Sequence, residues 1–383
     1  MKKVLAVLLT ILLVIPSFAL GENVVKIGVF EPASGDSGAG GKQETLGIQY
    51  ANAVQPTVDI GGQTYTVQLV YADNGSSADK APSAAQQLVS EGVSVVLGSY
   101  GSGVSIAGSP YFADAGIPAI GVTCTNPQVT AGNTHYFRIC FLDPFQGTVL
   151  ANYAFKELGV TTAYCLAELG NDYDVGLCHY FQQAFEALGG MVISETFPTG
   201  NSDFTSYLNT ATAAGAGVFF APCSIAYSTQ IINQAAAQNV AFPLMGGDTW
   251  DSNKVIEAAK GTTAKVLIST FYQEGGNAEF DNGIKAWINT NAEALTNNGG
   301  NDMIAAISAM GYDAYFVALE ALKGAGSTDS KAVNEALWKI SYNGVSGAIV
   351  FDEIGDAIRD TAYIKTANTQ TGAWDFVAVQ SVK

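Results

Sequence analysis

Short runs of apolar and β-branched residues alternate with helical patterns along the first third of the chain. The predicted strands in this series are residues 24–30, 64–71, 93–98 and 117–122. The helical patterns between them cover residues 43–53, 80–91 and 104–115. This alternation is typical of an α/β protein with mainly parallel sheets, because each crossover between parallel strands needs a helix-length connection.

A second series of the same kind follows. Its predicted strands are residues 163–167, 191–197, 217–221 and 242–245. Its predicted helices are residues 175–188, 204–214 and 228–238. Two series of strand and helix in succession indicate two doubly wound units, each with its own core.

The segments that follow each series indicate how the two units are joined. Residues 136–143 have the pattern of one extended strand and are a candidate first crossing, and residues 266–273 are a candidate return strand. The predicted elements after them are helices at 280–295, 304–323 and 331–340 and a strand-rich tail at 345–380. We therefore expect an α/β fold of two doubly wound lobes with mainly parallel sheets, joined by several crossover strands. Lobe 1 would comprise residues 22–141 and 271–351, and lobe 2 residues 142–270 and 352–383; such a pair suits hinge closure.

The N-terminus has the pattern of a secretory signal peptide. Lys2 and Lys3 precede an apolar run at residues 4–15, and small residues surround Ala19. The apolar run is shorter than the ~20 residues that span a bilayer. We expect cleavage after Ala19 or Gly21, which removes residues 1–21 and places the protein in the periplasm or another extracytoplasmic space.

The charge balance excludes some classes of partner. The chain has 17 basic and 34 acidic residues, a formal net charge of −17. Nucleic-acid binding and attachment to an anionic membrane surface both need a cationic face, so neither is expected.

The five cysteines leave at least one thiol unpaired within the chain. Cys165 with Cys178, or Cys124 with Cys140, is a possible bridge, and buried free thiols are the alternative. The chain has no Cys-x-x-Cys pair and two distant histidines. We therefore predict no metal site.

The motifs of phosphate binding and covalent catalysis fail on inspection. The glycine-rich loop at residues 34–43 has Asp36 and Gln43 where a phosphate-binding loop needs glycine and a hydroxyl residue. No serine lies in a Gly-x-Ser-x-Gly frame. Cys124 and His135 are a candidate nucleophile pair, but nothing near either indicates activation. We predict no cofactor and no enzyme activity.

Polar loops follow four of the predicted strands, where ligands bind in open α/β sheets. They are residues 99–103, 123–126, 171–173 and 246–248. Hydroxyls and free N–H groups in the first two would hold a carboxylate, although helix capping alone also explains either loop. Asp248 in the last would neutralise an ammonium, with an ordinary surface acid as the alternative.

These loops and the stretches around them resemble the periplasmic leucine/isoleucine/valine-binding protein family, the type I solute-binding proteins of branched-chain amino-acid ABC transporters. The resemblance covers nearly the whole mature chain. The matching stretches are residues 25–28, 34–35, 113–120, 125–127, 137–138, 203–204 and 245–248, together with Gly47, Asp143, Gln146, Gly147, Tyr173 and Gly176.

The resemblance implies that lobe 1 holds an α-carboxylate and lobe 2 an ammonium. The implied carboxylate site is Gly101 and Ser102 with the loop 123–125, and the implied ammonium site is Tyr173 with Asp248. Where the branched-chain binders place pocket aromatics, this chain has Gly40, Ser224 and Ile307, which implies a differently shaped side-chain pocket that Tyr100, Tyr227 or Trp250 would line. The expected ligand contacts are Tyr100, Gly101, Ser102, Thr123, Cys124, Thr125, Tyr173, Ser224, Asp248 and Trp250.

We therefore expect a monomeric solute-binding subunit that closes around an amino acid or analogue and delivers it to a membrane ABC permease. One alternative is a binding sensor for amides, urea or aromatic acids, for which Asp248→Ala would cost little affinity. The other is an exported hydrolase that uses Cys124 or a serine, for which turnover of the ligand would be measurable.

Overall fold

The computed structural model describes residues 23–381, so the predicted signal peptide lies outside the described residues. The strands are β1 Val24–Glu31, β2 Thr57–Ile60, β3 Gln63–Asp73, β4 Val95–Leu97, β5 Ala119–Gly121, β6 Tyr136–Arg138, β7 Thr162–Glu168, β8 Met191–Phe197, β9 Val218–Phe220, β10 Leu244–Gly246, β11 Val266–Thr270, β12 Ser341–Gly344, β13 Gly347–Val350, β14 Ala362–Asn368 and β15 Ala373–Gln380.

The helices are α1 Gly38–Val54, α2 Ala81–Glu91, α3 Ser102–Asp114, α4 Asp143–Asn152, α5 Asp172–Ala187, α6 Thr205–Ala213, α7 Ile225–Gln238, α8 Asn253–Ala259, α9 Ala278–Thr290, α10 Ala292–Asn297, α11 Ala306–Ala325 and α12 Ser330–Leu337. Within residues 23–381, none of them is long and apolar enough to cross a bilayer.

Two mixed, mainly parallel sheets organise the molecule. The first has the order β2-β3-β1-β4-β5-β6 and the second the order β15-β14-β11-β10-β9-β7-β8. The central strands β4, β5 and β9 are buried at every residue, as expected where helices cover both faces of a parallel sheet. The predicted fold class is confirmed: each sheet is the centre of one lobe.

The chain passes between the lobes three times within the described residues. The crossings follow β6, β11 and β13. The last of them pairs with the first, because Arg138 N–H donates to Gly355 O at 2.9 Å and Ala357 N–H donates to Arg138 O at 2.8 Å. The exact lobe boundaries remain a prediction.

Three predicted elements end or divide earlier than expected. The strand predicted at 136–143 ends at Arg138, because Asp143 already begins α4 with Pro144 in its first turn. The helix predicted at 280–295 is two helices, because Asn291 leaves the helical conformation and accepts hydrogen bonds from the N–H groups of Glu293 and Ala294 at 3.1 Å. The predicted return strand, 266–273, is β11 and ends at Thr270.

Helices α1 and α11 cross closely over the first sheet. A Cβ on Gly47 would lie 1.9 Å from Ser308 O, and one on Gly311 would lie 2.3 Å from Glu44 O. Both positions therefore require glycine at this spacing of the helices. The close crossing buries Glu44 completely, at the carboxyl edge of the sheet.

Candidate ligand-binding cleft between the two lobes

A cavity of about 540 Å³ lies between the lobes. Its lining residues lie at or beyond the carboxyl ends of β1, β3, β4 and β5 in lobe 1 and of β7, β8, β9 and β10 in lobe 2. In parallel sheets this edge is where loops diverge and leave space for a ligand. The polar loops predicted from the sequence therefore meet in one cleft.

The lobes touch each other directly across this cleft. Tyr100 Oη donates to Thr249 O at 3.1 Å, and Asn126 Nδ2 donates to Asp172 O at 2.8 Å. Each bond joins a residue from the first sheet's loops to one from the second sheet's loops. The structure is therefore the closed form of a two-lobed molecule.

The loop after β4 presents Ser102 at the start of α3. Gly101 is the N-cap residue of this 13-residue helix, and residues 100–104 line the cavity. Ser102 Oγ accepts a hydrogen bond from Asn126 N–H at 3.2 Å, so its own proton is free to be donated to a ligand. Free N–H groups in the first turn of a helix also attract anions. This end of the cavity is suited to a carboxylate.

Arg138 holds the loop after β5 in place through hydrogen bonds to its backbone. The buried guanidinium Nη1 donates to Cys124 O at 3.0 Å and to Asn126 O, and Nε donates to Asp356 Oδ1 at 2.7 Å. Five donors in one plane make arginine suited to holding several carbonyls at once. Arg138 therefore sets the conformation of the loop that carries Thr123 and supports Ser102.

A buried pair of carboxyl groups lies behind the lobe 1 loops. Glu31 Oε2 accepts from Tyr100 N–H at 2.8 Å, and Thr123 Oγ1 donates to Glu44 Oε2. Burial raises the pKa of Glu44 to about 7, against hydrogen bonds from Glu31 and Thr123 that lower it. Burial, the Glu44 charge and the hydrogen bond to Glu44 raise the pKa of Glu31 well above its usual range. Burial and the neighbouring Glu44 carboxyl group therefore both favour the neutral form of Glu31.

Lobe 2 contributes a phenol backed by a carboxylate. Asn171 caps α5, and Tyr173 in its first turn lines the cavity. Tyr173 Oη donates to Asp248 Oδ1 at 2.8 Å. Burial raises the pKa of Asp248 to about 6, although hydrogen bonds from Tyr173 and Gln146 lower it. Because the phenol donates its hydrogen bond to Asp248, the lone pairs of its oxygen are free to accept hydrogen bonds from a cation in the cavity.

Tyr100 occupies space that two small neighbours leave free. A Cβ on Gly40 would lie 2.5 Å from Tyr100 Cζ, and the ring also packs with Ile307 and Ala305. Tyr100 thus packs against Gly40 and Ile307, two of the three positions where the resemblance places pocket aromatics that this chain lacks. The third is Ser224, which lines the cavity; its Oγ is buried and has no hydrogen-bond partner among the described residues.

Four expected contact residues do not line the cavity: Cys124, Thr125, Asp248 and Trp250. Asp248 is 1% exposed and accepts a hydrogen bond from Tyr173, which does line it. The Cys124 thiol is buried against Gly121 and Tyr136, and Trp250 is buried with its Nε1 donating to Cys223 O at 3.1 Å. Both side chains are core residues, contrary to the expectation that they contact the ligand. Thr125 is likewise fully buried and lies beside Asp143, whose N–H donates to Thr125 O at 3.0 Å.

Several acidic groups near the cleft were not selected from the sequence. Burial raises the pKa of Asp143 to about 8 and that of Asp174 well above its usual range. Glu31, Glu168 and Asp174 all lie at or just beyond strand ends, so the rule that selected Tyr173 also applies to them. Glu44, in the middle of a helix, has no comparable signal.

All five cysteines are free and buried in the structure. Burial raises the pKa of Cys124 to about 11, although the Arg138 charge lowers it. His135 is not buried, and its Nδ1 lies 3.4 Å from Thr134 Oγ1. A buried thiol with a raised pKa is a poor nucleophile.

The sequence profile of the periplasmic binding protein family matches residues 24–371. The chain belongs to that family. A curated relative, Leu/Ile/Val-binding protein homolog 1 of Brucella abortus, is 28% identical over 340 residues, which cover 87% of each chain. The predicted family resemblance, to the branched-chain amino-acid binding proteins, is confirmed.

Solved structures show the same similarity. The leucine binding protein LivK from Thermotoga maritima is 32% identical, with a TM-score of 0.83 over 94% of this chain and 99% of that one. A solute-binding protein of an ABC transporter from R. palustris in complex with benzoate is 20% identical, with a TM-score of 0.78 over 94% and 97% of the two chains. The latter shows the shared fold alone.

Proposed function

We propose that the chain is the extracytoplasmic solute-binding subunit of an ABC transporter and that an α-amino acid or close analogue binds in the cleft. The observation that carries the proposal is the buried Tyr173–Asp248 hydrogen bond at 2.8 Å, on the same cavity as the Ser102 loop. The Ser102 loop suits an anion, and Tyr173 with Asp248 suits a cation. A zwitterion satisfies both groups.

The carboxylate of the ligand meets the first turn of α3. There the Ser102 hydroxyl and the N–H groups of the turn donate to its oxygens. The ammonium meets the Tyr173 oxygen, and the negative charge of Asp248 stabilises it from behind. Because Asp248 is buried, its charge is costly without a cation, and the ligand supplies that cation on closure.

The relatives support the transport role. The Brucella relative is named for leucine, isoleucine and valine, and the Thermotoga structure is a leucine binding protein. Binding proteins of this kind deliver the ligand to a membrane permease after hinge closure. The three crossings between the lobes form a hinge of the kind that such closure uses.

The test is isothermal titration calorimetry on the full mature chain with the twenty amino acids and their deaminated analogues. We expect at least one amino acid to bind and its deaminated analogue to bind at least a hundredfold more weakly. Asp248→Asn should weaken binding of that amino acid by a factor on the order of 10²–10³, since it removes one partner of a buried charge pair.

The matched control is Asp375→Asn, an exposed aspartate of β15, which should leave the affinity unchanged. Equal affinity of wild type and Asp248→Asn for the bound amino acid would contradict the ammonium site. Binding of benzoate, urea or an amide in place of every amino acid would contradict the amino-acid proposal and favour the alternative ligands, amides, urea or aromatic acids.

A further inference from the structure

Two carboxylates from different lobes converge on one phenol at the outer part of the cavity. Tyr227 Oη lies 3.3 Å from Asp36 Oδ2 and 3.2 Å from Glu168 Oε1. The same oxygen accepts a hydrogen bond from Gly200 N–H at 2.8 Å. A phenol has one proton, so it donates to only one of these carboxylates at a time. The second carboxylate then has no proton between its own oxygen and the phenol oxygen. It also shares the site with another negative charge.

Acidic side chains predominate around this part of the cavity, although the exposed Lys80 side chain lies beside the lining residue Gly75. The acids that line the cavity are Asp36, Asp79, Glu168, Asp172 and Asp174, and its described lining residues include no lysine, arginine or histidine. Glu168 is 8% exposed, and its other oxygen accepts from Asn171 Nδ2 at 3.1 Å. The Glu168 charge is therefore buried at the cavity wall without a cation in hydrogen-bond contact.

Two buried polar atoms in the same wall have no partner among the described residues. Ser224 Oγ precedes α7 without capping it, and Ser224 is 6% exposed. Asp174 Oδ1 also has no partner, and Asp174 is 1% exposed. Both residues line the cavity. Buried polar atoms are normally hydrogen-bonded, so these two mark where a ligand with several donors would bond.

Because the two carboxylates belong to different lobes, the charge of the ligand affects how favourable closure of the lobes is. Asp36 lies in the loop after β1, and Glu168 is the last residue of β7, so they approach each other only when the lobes close. Between like charges that approach is unfavourable. A cation held between them makes the same approach favourable, and it does so only in the closed form. An aliphatic side chain would instead leave the buried Glu168 carboxylate without a cation.

We propose that this acidic outer wall, formed by Asp36, Glu168, Asp174 and Ser224, binds the cationic side chain of a basic amino acid. The class comprises lysine, ornithine and arginine. The proposal rests on the proposed function, because the α-carboxylate and α-ammonium of the ligand occupy the inner end at Ser102 and Tyr173. Asp36, Glu168, Asp174 and Ser224 line the same cavity, so this part of its wall is left for the side chain of the ligand.

The test compares each basic amino acid with a neutral analogue of the same shape. Lysine is paired with norleucine and arginine with citrulline, in calorimetric titrations of the full mature chain. We expect at least one basic amino acid to bind a hundredfold or more tightly than its neutral analogue. In Glu168→Gln and Asp36→Asn this ratio should fall at least tenfold, because each removes one of the two converging charges.

The control is Glu257→Gln, an exposed acid of α8 outside the cavity lining, for which the ratio should stay as in wild type. A ratio near one in wild type, with norleucine or leucine bound tightly, would overturn the acidic-wall proposal and leave the proposed function standing. Failure of every α-amino acid to bind would overturn both. A ratio that is unchanged in both carboxylate variants would assign the preference to another part of the cavity and refute the roles of Asp36 and Glu168.

Discussion

Replacing Asp356 by asparagine removes one partner of a buried ion pair that also supports the binding cleft. The carboxylate lies 2.7 Å from Arg138 Nη2 and 2.7 Å from Nε, and it accepts from Thr130 Oγ1 at 3.0 Å. The Arg138 and Asp356 side chains are 0% and 2% exposed. The variant keeps the shape of the side chain but leaves the guanidinium charge buried and uncompensated.

Removing one member of a buried pair costs ~3–5 kcal/mol, and an isosteric change belongs at the low end of that range. We therefore expect the free energy of unfolding to fall by about 3 kcal/mol. For a protein of this size, with an unfolding entropy of ~2.1 cal/mol/K per residue, that corresponds to a fall in Tm of roughly 4 °C. Affinity for the ligand should fall as well, because the same guanidinium holds the carbonyls of Cys124 and Asn126.

The assay is urea denaturation followed by circular dichroism, with wild type and variant at the same pH. The matched control is Glu257→Gln, which breaks the exposed 2.8 Å pair with Lys254 and should cost less than ~1 kcal/mol. A loss in Asp356→Asn no larger than in the control would refute the reasoning, since the buried guanidinium would then have found another way to be stabilised.

Three further outcomes are expected. Because the pKa of Glu44 is raised from 4.5 to about 7, the folded state binds the proton more tightly, so the free energy of unfolding of wild type should fall as pH rises from 4.5 to 7. Between pH 4.5 and 8, urea unfolding should show a smaller decline in the free energy of unfolding for Glu44→Gln than for wild type, by on the order of 1–3 kcal/mol. The same decline in both proteins would count against this role of Glu44. The pKa of Asp248 is about 6 and an ammonium stabilises its charged form, so calorimetry should show amino-acid affinity falling up to tenfold per pH unit below 6, with Asp248→Asn lacking that contribution. Tyr100→Phe removes the bond to Thr249 O and should weaken every ligand by the same factor, roughly two- to twelvefold; a factor that varies between ligands would disprove this role.

The two-lobed fold could be predicted because the hydrophobic periodicity and the lengths of the apolar runs indicate alternating strands and helices. Buried runs such as β1 and β7 are bounded by turn residues, and each is followed by a helical pattern. The predicted and observed elements differ where a local signal competes with the hydrophobic pattern. Asp143 and Pro144 begin α4 inside an apolar stretch, and Asn291 interrupts a helical one.

The candidate cleft could be located from the sequence but not assembled in detail. Ser102 and Tyr173 were selected because they follow strands, and both line the cavity. Side-chain direction beyond a three-residue strand such as β5 or β10 has no periodicity to indicate it, so Cys124 and Trp250 were expected in the cavity although they belong to the core. The burial of Glu44 depends on the crossing of α1 with α11, two helices that are far apart in the sequence.

The direct bonds between the lobes, Tyr100 to Thr249 and Asn126 to Asp172, contain no ligand atom. Their free energy is gained in every closed complex, whichever solute is inside, so it cancels when two solutes are compared. These bonds therefore set how tightly the molecule holds its cargo in general, while the choice among cargoes depends on the cavity wall alone. Asn126 does not line the cavity, so it is a position at which retention can change while the cavity wall stays the same.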